Sequence, residues 1–192
     1  MKAKTSALAW TPELESGVAR AKEGDQQAFA EIYEVMYPAV ARFLYYRLGD
    51  RSAAEETAGD VFLAAWRQLS SYRGDHFPAW VFRIARNLAV GRFRTDSRAR
   101  MVPVEQVSDM PSPEPSPDRR AESADTNQRV RTAIRKLPDD QRDIIVMKFL
   151  LGLDNEAVGR AMRKSANAVN AQQHRALRSL HEMLAKEGLS FV

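Results

Sequence analysis

The sequence predicts an all-α protein: two small helical domains joined by a Pro-rich acidic linker, the second containing a helix-turn-helix. Three observations predict it. Apolar residues recur at three- and four-residue steps along most of the chain, and no stretch shows the alternation of a strand. The segment Met110–Pro117, MPSPEPSP, places four of the nine prolines within eight residues, and such a run holds neither helix nor sheet. The length, 192 residues, suits one or two small domains.

The elements follow in order. Residues 1–11 are expected to be disordered, although Trp10 is a candidate interaction residue. Pro12 can open a helix with Thr11 as its cap. Asp25 caps the next helix, whose apolar stripe is Phe29, Ile32, Tyr33, Met36, Val40, Phe43, Leu44 and Leu48. Pro38 lies inside that stripe and predicts a kink or break, and Gly49 ends it. A third helix starts near Asp50 or Ser52 and turns Ala54, Ala58, Val61, Phe62, Ala65, Trp66 and Leu69 inward. A turn at Ser70–Gly74 leads to a fourth helix after Pro78. Its candidate core is Trp80, Val81, Ile84, Ala85, Leu88 and Phe93, interleaved with arginines.

Beyond the linker the helical pattern resumes near Asp125. One helix ends at Pro138, and the densest apolar run, Ile144 to Leu151, stops at Gly152. Asp154 caps a short helix and Ser165 a long last one. These limits give a first domain at 12–98, a flexible linker at 99–126, a second domain at 127–187 and a tail at 188–192.

Composition excludes several classes. There is no cysteine, so disulfides, thiolate metal sites and cysteine nucleophiles are ruled out. No apolar run approaches the roughly 20 residues of a membrane span, and the first ten residues lack the pattern of a secretory signal. A cytoplasmic location without membrane insertion is expected. The three histidines, His76, His174 and His181, form no HExxH pair. Neither a glycine-rich phosphate loop nor a G-x-S-x-G elbow occurs. An enzyme is not expected, and neither a metal nor another cofactor.

Charge is distributed unevenly. Residues 72–100 carry seven arginines against two aspartates, and residues 127–192 carry twelve basic against seven acidic groups. Residues 101–126 between them carry two basic and six acidic groups. Two basic surfaces flanking an acidic spacer suit two contacts with a polyanion.

The last two helices sharpen that reading. A short helix, a turn of about three residues and a longer helix make a helix-turn-helix, whose second helix enters the major groove. Arg163, Lys164 and Ser165 form the turn and cap. Asn167, Asn170, Ala171, His174 and Arg175 point outward from the second helix, with Arg178 further along. Asn suits adenine, Arg suits guanine, and a small Ala meets a thymine methyl.

Taken together, these segments resemble the extracytoplasmic-function (ECF) sigma factors of bacterial RNA polymerase over roughly four-fifths of the chain. AAEETAGDVFLAAW (Ala53–Trp66) is similar to the family's core-polymerase-binding helix. FPAWVFRIARNLAVGRFR (Phe77–Arg94) is similar to its promoter-melting, −10-reading segment. LPDDQRDIIVMKFLLGLDNEAVGRAM (Leu137–Met162) and SANAVNAQQHRALRSL (Ser165–Leu180) resemble its −35-binding domain.

The resemblance implies an alternative sigma factor that binds core polymerase, recognises −35 and −10 elements and promotes promoter melting. The implied polymerase contacts are Glu55, Glu56, Asp60 and Val61. The implied −10 contacts are Arg73, Arg83, Arg86, Asn87, Arg92 and Arg94, with the loop Ser70–His76 helping to hold a flipped base. The implied −35 contacts are the helix-turn-helix residues already named. The implied partners are core polymerase (β′ coiled coil and β flap), promoter DNA as duplex and melted strand, and an anti-sigma protein. A stand-alone helix-turn-helix regulator is the alternative.

The chain departs from the family pattern at five positions. Arg163 and Gly59 stand where Gly and Gln are usual, and Gly91 where Asp is frequent. Asn170 and Gln172 replace residues that are often basic, which predicts an altered −35 preference.

Overall fold

The computed structural model describes Leu8, residues 10–96 and residues 120–188, with side chains at Leu8, 10–92 and 126–188. The proline-rich stretch lies outside the described residues. Every described element is helical: α1 (Pro12–Lys22), α2 (Gln26–Leu48), α3 (Arg51–Gln68), a 3-10 turn at Leu69–Ser71, α4 (Phe77–Asp96), α5 (Arg120–Lys136), α6 (Asp139–Ile145) running into a π turn at Val146–Leu150, α7 (Asn155–Met162) and α8 (Ala166–Lys186).

The helix starts are where short polar side chains can take an orphan N–H. Thr11, Asp25, Asp50, Asp154 and Ser165 accept from the backbone N–H of Leu14, Ala28, Ala53, Ala157 and Ala168 respectively. Gly49 closes α2 in the left-handed region at φ 81°, a conformation open to it for want of a Cβ.

Three features differ from expectation. Pro38 does not break α2, which runs unbroken from Gln26 to Leu48. Pro38 and Glu34 both lie on the exposed side of the helix, so the Glu34 carbonyl that loses its partner faces water. Helix α5 begins at Arg120, ahead of Asp125. Within the N-terminal stretch expected to be disordered, Leu8 and Trp10 pack against the core. The Leu8 N–H donates to the Leu151 carbonyl at 3.0 Å, and the Trp10 ring stacks on Phe77 at 5.7 Å.

The first helical unit is built on α2, which packs against α1, α3 and α4. Its centre is Ile32, Met36, Val40, Phe43, Leu44, Val61, Phe77 and Phe82, all fully buried. The second unit packs α8 against α6 and α7 over Leu137, Ile144, Met147, Val158, Val169 and Ala176. The two units touch: α4 lies on α7, and α2 on α5 and α6.

Candidate nucleic-acid and polymerase surfaces

The helix-turn-helix is formed by α7 and α8. Ala157, Val158, Ala161 and Met162 point inward from α7, and Val169, Ala176, Leu180 and Leu184 from α8. That spacing leaves Asn167, Asn170, Ala171, His174, Arg175 and Arg178 on the exposed side of α8. Ser165 is spent on capping α8. Arg163 is exposed and adopts φ 56°, ψ 45°, the left-handed conformation that glycine holds without strain. It is the one positive-φ residue other than glycine among the described residues. The turn is tight because Gly159 meets the Lys164 carbonyl: a Cβ there would lie 2.6 Å from that oxygen. Lys164 itself is half-buried, with its ammonium 3.2 Å from Asp140.

A second site lies at the start of α4. Ser71–His76, Ala79, Trp80 and Arg83 line a cleft of about 440 Å³, and Arg160 of α7 enters from the other unit. The loop is held from within. Arg73 donates to the Ser70 and Tyr72 carbonyls at 2.6 and 3.1 Å, and Lys22 to the Tyr72 carbonyl at 2.9 Å. His76 Nδ1 accepts the Ala79 N–H at 3.2 Å, which fixes the imidazole as a cap on α4. Tyr72 and Trp80 pack with ring centroids 4.9 Å apart. Burial pushes the Tyr72 phenol up to about 12, so it stays neutral at physiological pH. Trp80 is half-buried: one part packs on the core and another lines the cleft.

Of the expected −10 residues, Arg73 and Arg83 line this cleft and Asn87 is exposed one turn on. Arg86 and Arg92 are engaged elsewhere. Arg92 donates to Glu56 at 2.6 Å and to the Thr57 hydroxyl at 3.3 Å, a hydrogen bond that holds the Glu56 carboxyl below its ordinary value. Arg86 pairs with Asp143 and Asp140 of α6. Burial alone would lower the Arg86 guanidinium, but these two carboxylates outweigh it and hold the group above its ordinary value. The side chain of Arg94 lies outside the described residues.

The third surface is the face of α2 and α3. Glu55 is half-buried and paired with Arg51 at 2.8 Å, Glu56 is paired with Arg92, and Asp60 is exposed. Val61 corrects the sequence reading: it is fully buried among the core residues and cannot meet a partner. The apolar atoms this face offers belong to Leu63, 56% exposed, and Trp66, 36% exposed. With Gln26, Phe29, Tyr33, Gly59 and Phe62 they line an open groove of about 440 Å³. Phe29–Trp66 and Tyr33–Phe62 ring pairs, each at 4.8 Å, form its walls. The helical period placed Trp66 inward, one step short of the exposed edge. The adjacent pair Phe62–Leu63 was the signal for a second apolar face.

The chain is similar in sequence to known proteins over most of its length. Residues 32–99 match the family model for Sigma-70 region 2, and residues 127–180 that for Sigma-70, region 4. The ECF RNA polymerase sigma factor SigD of Mycobacterium tuberculosis is 32% identical over 181 residues, which cover 91% of this chain and 85% of SigD. The chain belongs to the ECF RNA polymerase sigma factors. The ECF sigma factor BldN of Streptomyces coelicolor is also 32% identical, over 87% of this chain, but the match spans only 64% of BldN. Among solved structures, CnrH in complex with the cytosolic domain of CnrY shares the fold. Its TM-score is 0.70 at 23% identity, covering 91% of this chain and 98% of CnrH. No described helix is long and apolar enough to cross a membrane.

Proposed function

We propose that this ECF sigma factor binds core RNA polymerase, recognises a −35 element with α8 and a −10 element with the α4 cleft, and promotes strand opening. The observation that carries the reading is the outward face of α8. Asn167, Asn170, Ala171, His174 and Arg175 are all exposed on the N-terminal half of α8, the part of a helix-turn-helix that meets a major groove. The cleft supports the second half. Arg73 and Arg83 supply cations and Trp80 a ring, the combination that holds an unstacked base and its phosphates. The groove of Phe29, Tyr33, Leu63 and Trp66, with the acidic Glu55 and Asp60 on the same helix α3, suits a basic amphipathic partner such as the β′ coiled coil. The second unit would meet the β flap.

Family membership supports an initiation factor rather than an enzyme. The site of action is then the cytoplasm, where the polymerase works. An anti-sigma protein is a further expected partner, supported by the co-crystal of the sigma factor RpoE with the anti-sigma factor NepR from Bartonella quintana. That RpoE is 24% identical to this chain at a TM-score of 0.67.

The test is in-vitro transcription from a genomic fragment library with bacterial core polymerase and the purified chain. Discrete transcripts that require both proteins are expected, and aligned start sites would show two promoter elements. Tight, specific duplex binding by the chain alone, with no transcripts, would favour the stand-alone regulator.

A further inference from the structure

The loop that walls the α4 cleft is shaped by two cations. Tyr72 to His76 belong to no helix, so their carbonyls take donors from side chains. Arg73 Nη1 donates to the Ser70 carbonyl at 2.6 Å and to the Tyr72 carbonyl at 3.1 Å. The second donor to the Tyr72 carbonyl comes from outside the loop. Lys22, in the last turn of α1 and 50 residues earlier, reaches it with Nζ at 2.9 Å. Arg20, the other cation of that turn, is exposed and pairs with Asp25 and Glu31 instead.

The wall of the cleft depends on where that carbonyl sits. The buried Tyr72 ring packs on Trp80 at 4.9 Å and edge-on to Phe77 at 5.5 Å. Gly74 lies against the same ring, so closely that a Cβ there would stand 2.6 Å from Cε2. Tyr72, Gly74 and Trp80 all line the cleft. A shift of the Tyr72 backbone therefore moves three parts of the lining together.

We propose that Lys22 is a positioning residue for −10 recognition: from α1 it fixes the Tyr72 carbonyl, and through Tyr72 the shape of the cleft that takes an unstacked base. The proposal rests on the reading of that cleft as the −10 site and adds to it a residue that acts without touching DNA. Arg73 cannot do the same work. It belongs to the loop it ties and moves with it, whereas Lys22 stands on a helix packed against α2. A hydrogen bond from an ammonium is also stronger than one between neutral groups. A pocket discriminates between bases when its polar groups are held in place by a supporting shell, because a wrong base then leaves them unpaired.

The probe is a fork-junction DNA, duplex over the −35 element and single-stranded over the −10 non-template strand. It is taken from a promoter found by the transcription assay and made with each of the four bases at each melted position. Competition for the holoenzyme, core polymerase with the full chain, gives the affinity ratio between the preferred base and the others at each position. Thermal unfolding of the free chain establishes that each variant is folded.

Wild type is expected to prefer one base strongly at the captured position. Lys22→Met keeps the stem and loses the donor. The ratio at that position should fall about tenfold, the factor carried by one hydrogen bond to a charged group, while the other positions keep theirs. Lys22→Arg restores a cationic donor and should recover most of the ratio. Arg20→Met removes a charge from the same end of α1 without removing the brace, and should discriminate as wild type does. An undiminished ratio in folded Lys22→Met would overturn the proposal, and so would a loss that Lys22→Arg does not recover. A uniform loss at every position would assign Lys22 a general role in stability, and an equal loss in Arg20→Met would assign the effect to the charge of α1; either result overturns the positioning role. A wild type with no base preference at any melted position would strike the reading of the cleft itself, and the role of Lys22 with it.

Discussion

Arg163 shows what a single backbone conformation demands. The helix-turn-helix turn needs one left-handed residue, and Arg occupies it at φ 56°. An L-residue there carries roughly 1 kcal/mol of strain that Gly lacks, partly offset by the greater freedom of Gly in the unfolded chain. Arg163→Gly is therefore expected to raise stability by about 0.5 kcal/mol in denaturant titration, while weakening the salt dependence of DNA binding if the guanidinium meets a phosphate. Gly159 is the opposite case. Its missing Cβ leaves room for a backbone carbonyl that cannot swing aside. Gly159→Ala should cost about 1–3 kcal/mol by overpacking and reduce duplex binding, since the same contact sets the angle of α8. The departure at Arg163 was legible from sequence because the motif fixes where the turn lies. The role of Gly159 was not, because close approach of two backbones leaves no residue-type signal beyond one glycine in a helix.

Helices were the most legible level. The caps Thr11, Asp25, Asp154 and Ser165 stand where short polar residues precede apolar periods, and each is worth about 1 kcal/mol to its helix. The faces were less legible, because α3 has two. Val61 and Phe62 follow one period into the core, while Leu63 and Trp66 build an exposed edge beside them. Periodicity alone favours the inward assignment for any large apolar residue near the stripe. Two predictions separate stability from docking on this helix. Gly59→Ala should stabilise α3 by about 1 kcal/mol, since a Cβ there meets nothing within 4 Å. Leu63→Asp should leave thermal unfolding nearly unchanged, because the side chain is already wet, yet weaken core-polymerase binding about tenfold, or about 1.4 kcal/mol. Equal polymerase affinity for Leu63→Asp and wild type, measured by competition, would remove the groove from the docking surface.

At the scale of the whole molecule, the sequence showed two basic segments flanking an acidic spacer but not how the two units meet. Arg86 explains why. An arginine on an apolar frame reads as a DNA contact, and its ionic partners lie 54 and 57 residues away across the spacer. Charge counts are blind to pairing over such separations. The contact has a consequence for unfolding. The second unit is small and buries a modest core, so alone it is marginal. Joined to the first through Arg47, Asp143 and Arg86, and crossed by Leu8 and Trp10, it shares the first unit's stability. The wild-type chain should therefore melt in a single calorimetric transition, with calorimetric and van't Hoff enthalpies equal. Arg47→Gln breaks a buried pair, a change that costs about 3 kcal/mol in comparable settings, and Trp10→Ala removes a stacked ring worth about 1 kcal/mol. Combined, they should uncouple the units. The scan should then split, residues 120–188 melting first and the first unit later, at a temperature close to that of a chain ending at residue 96. A double variant that still melts in one transition would mean that the units are held together by something other than the charges and the N-terminal crossing.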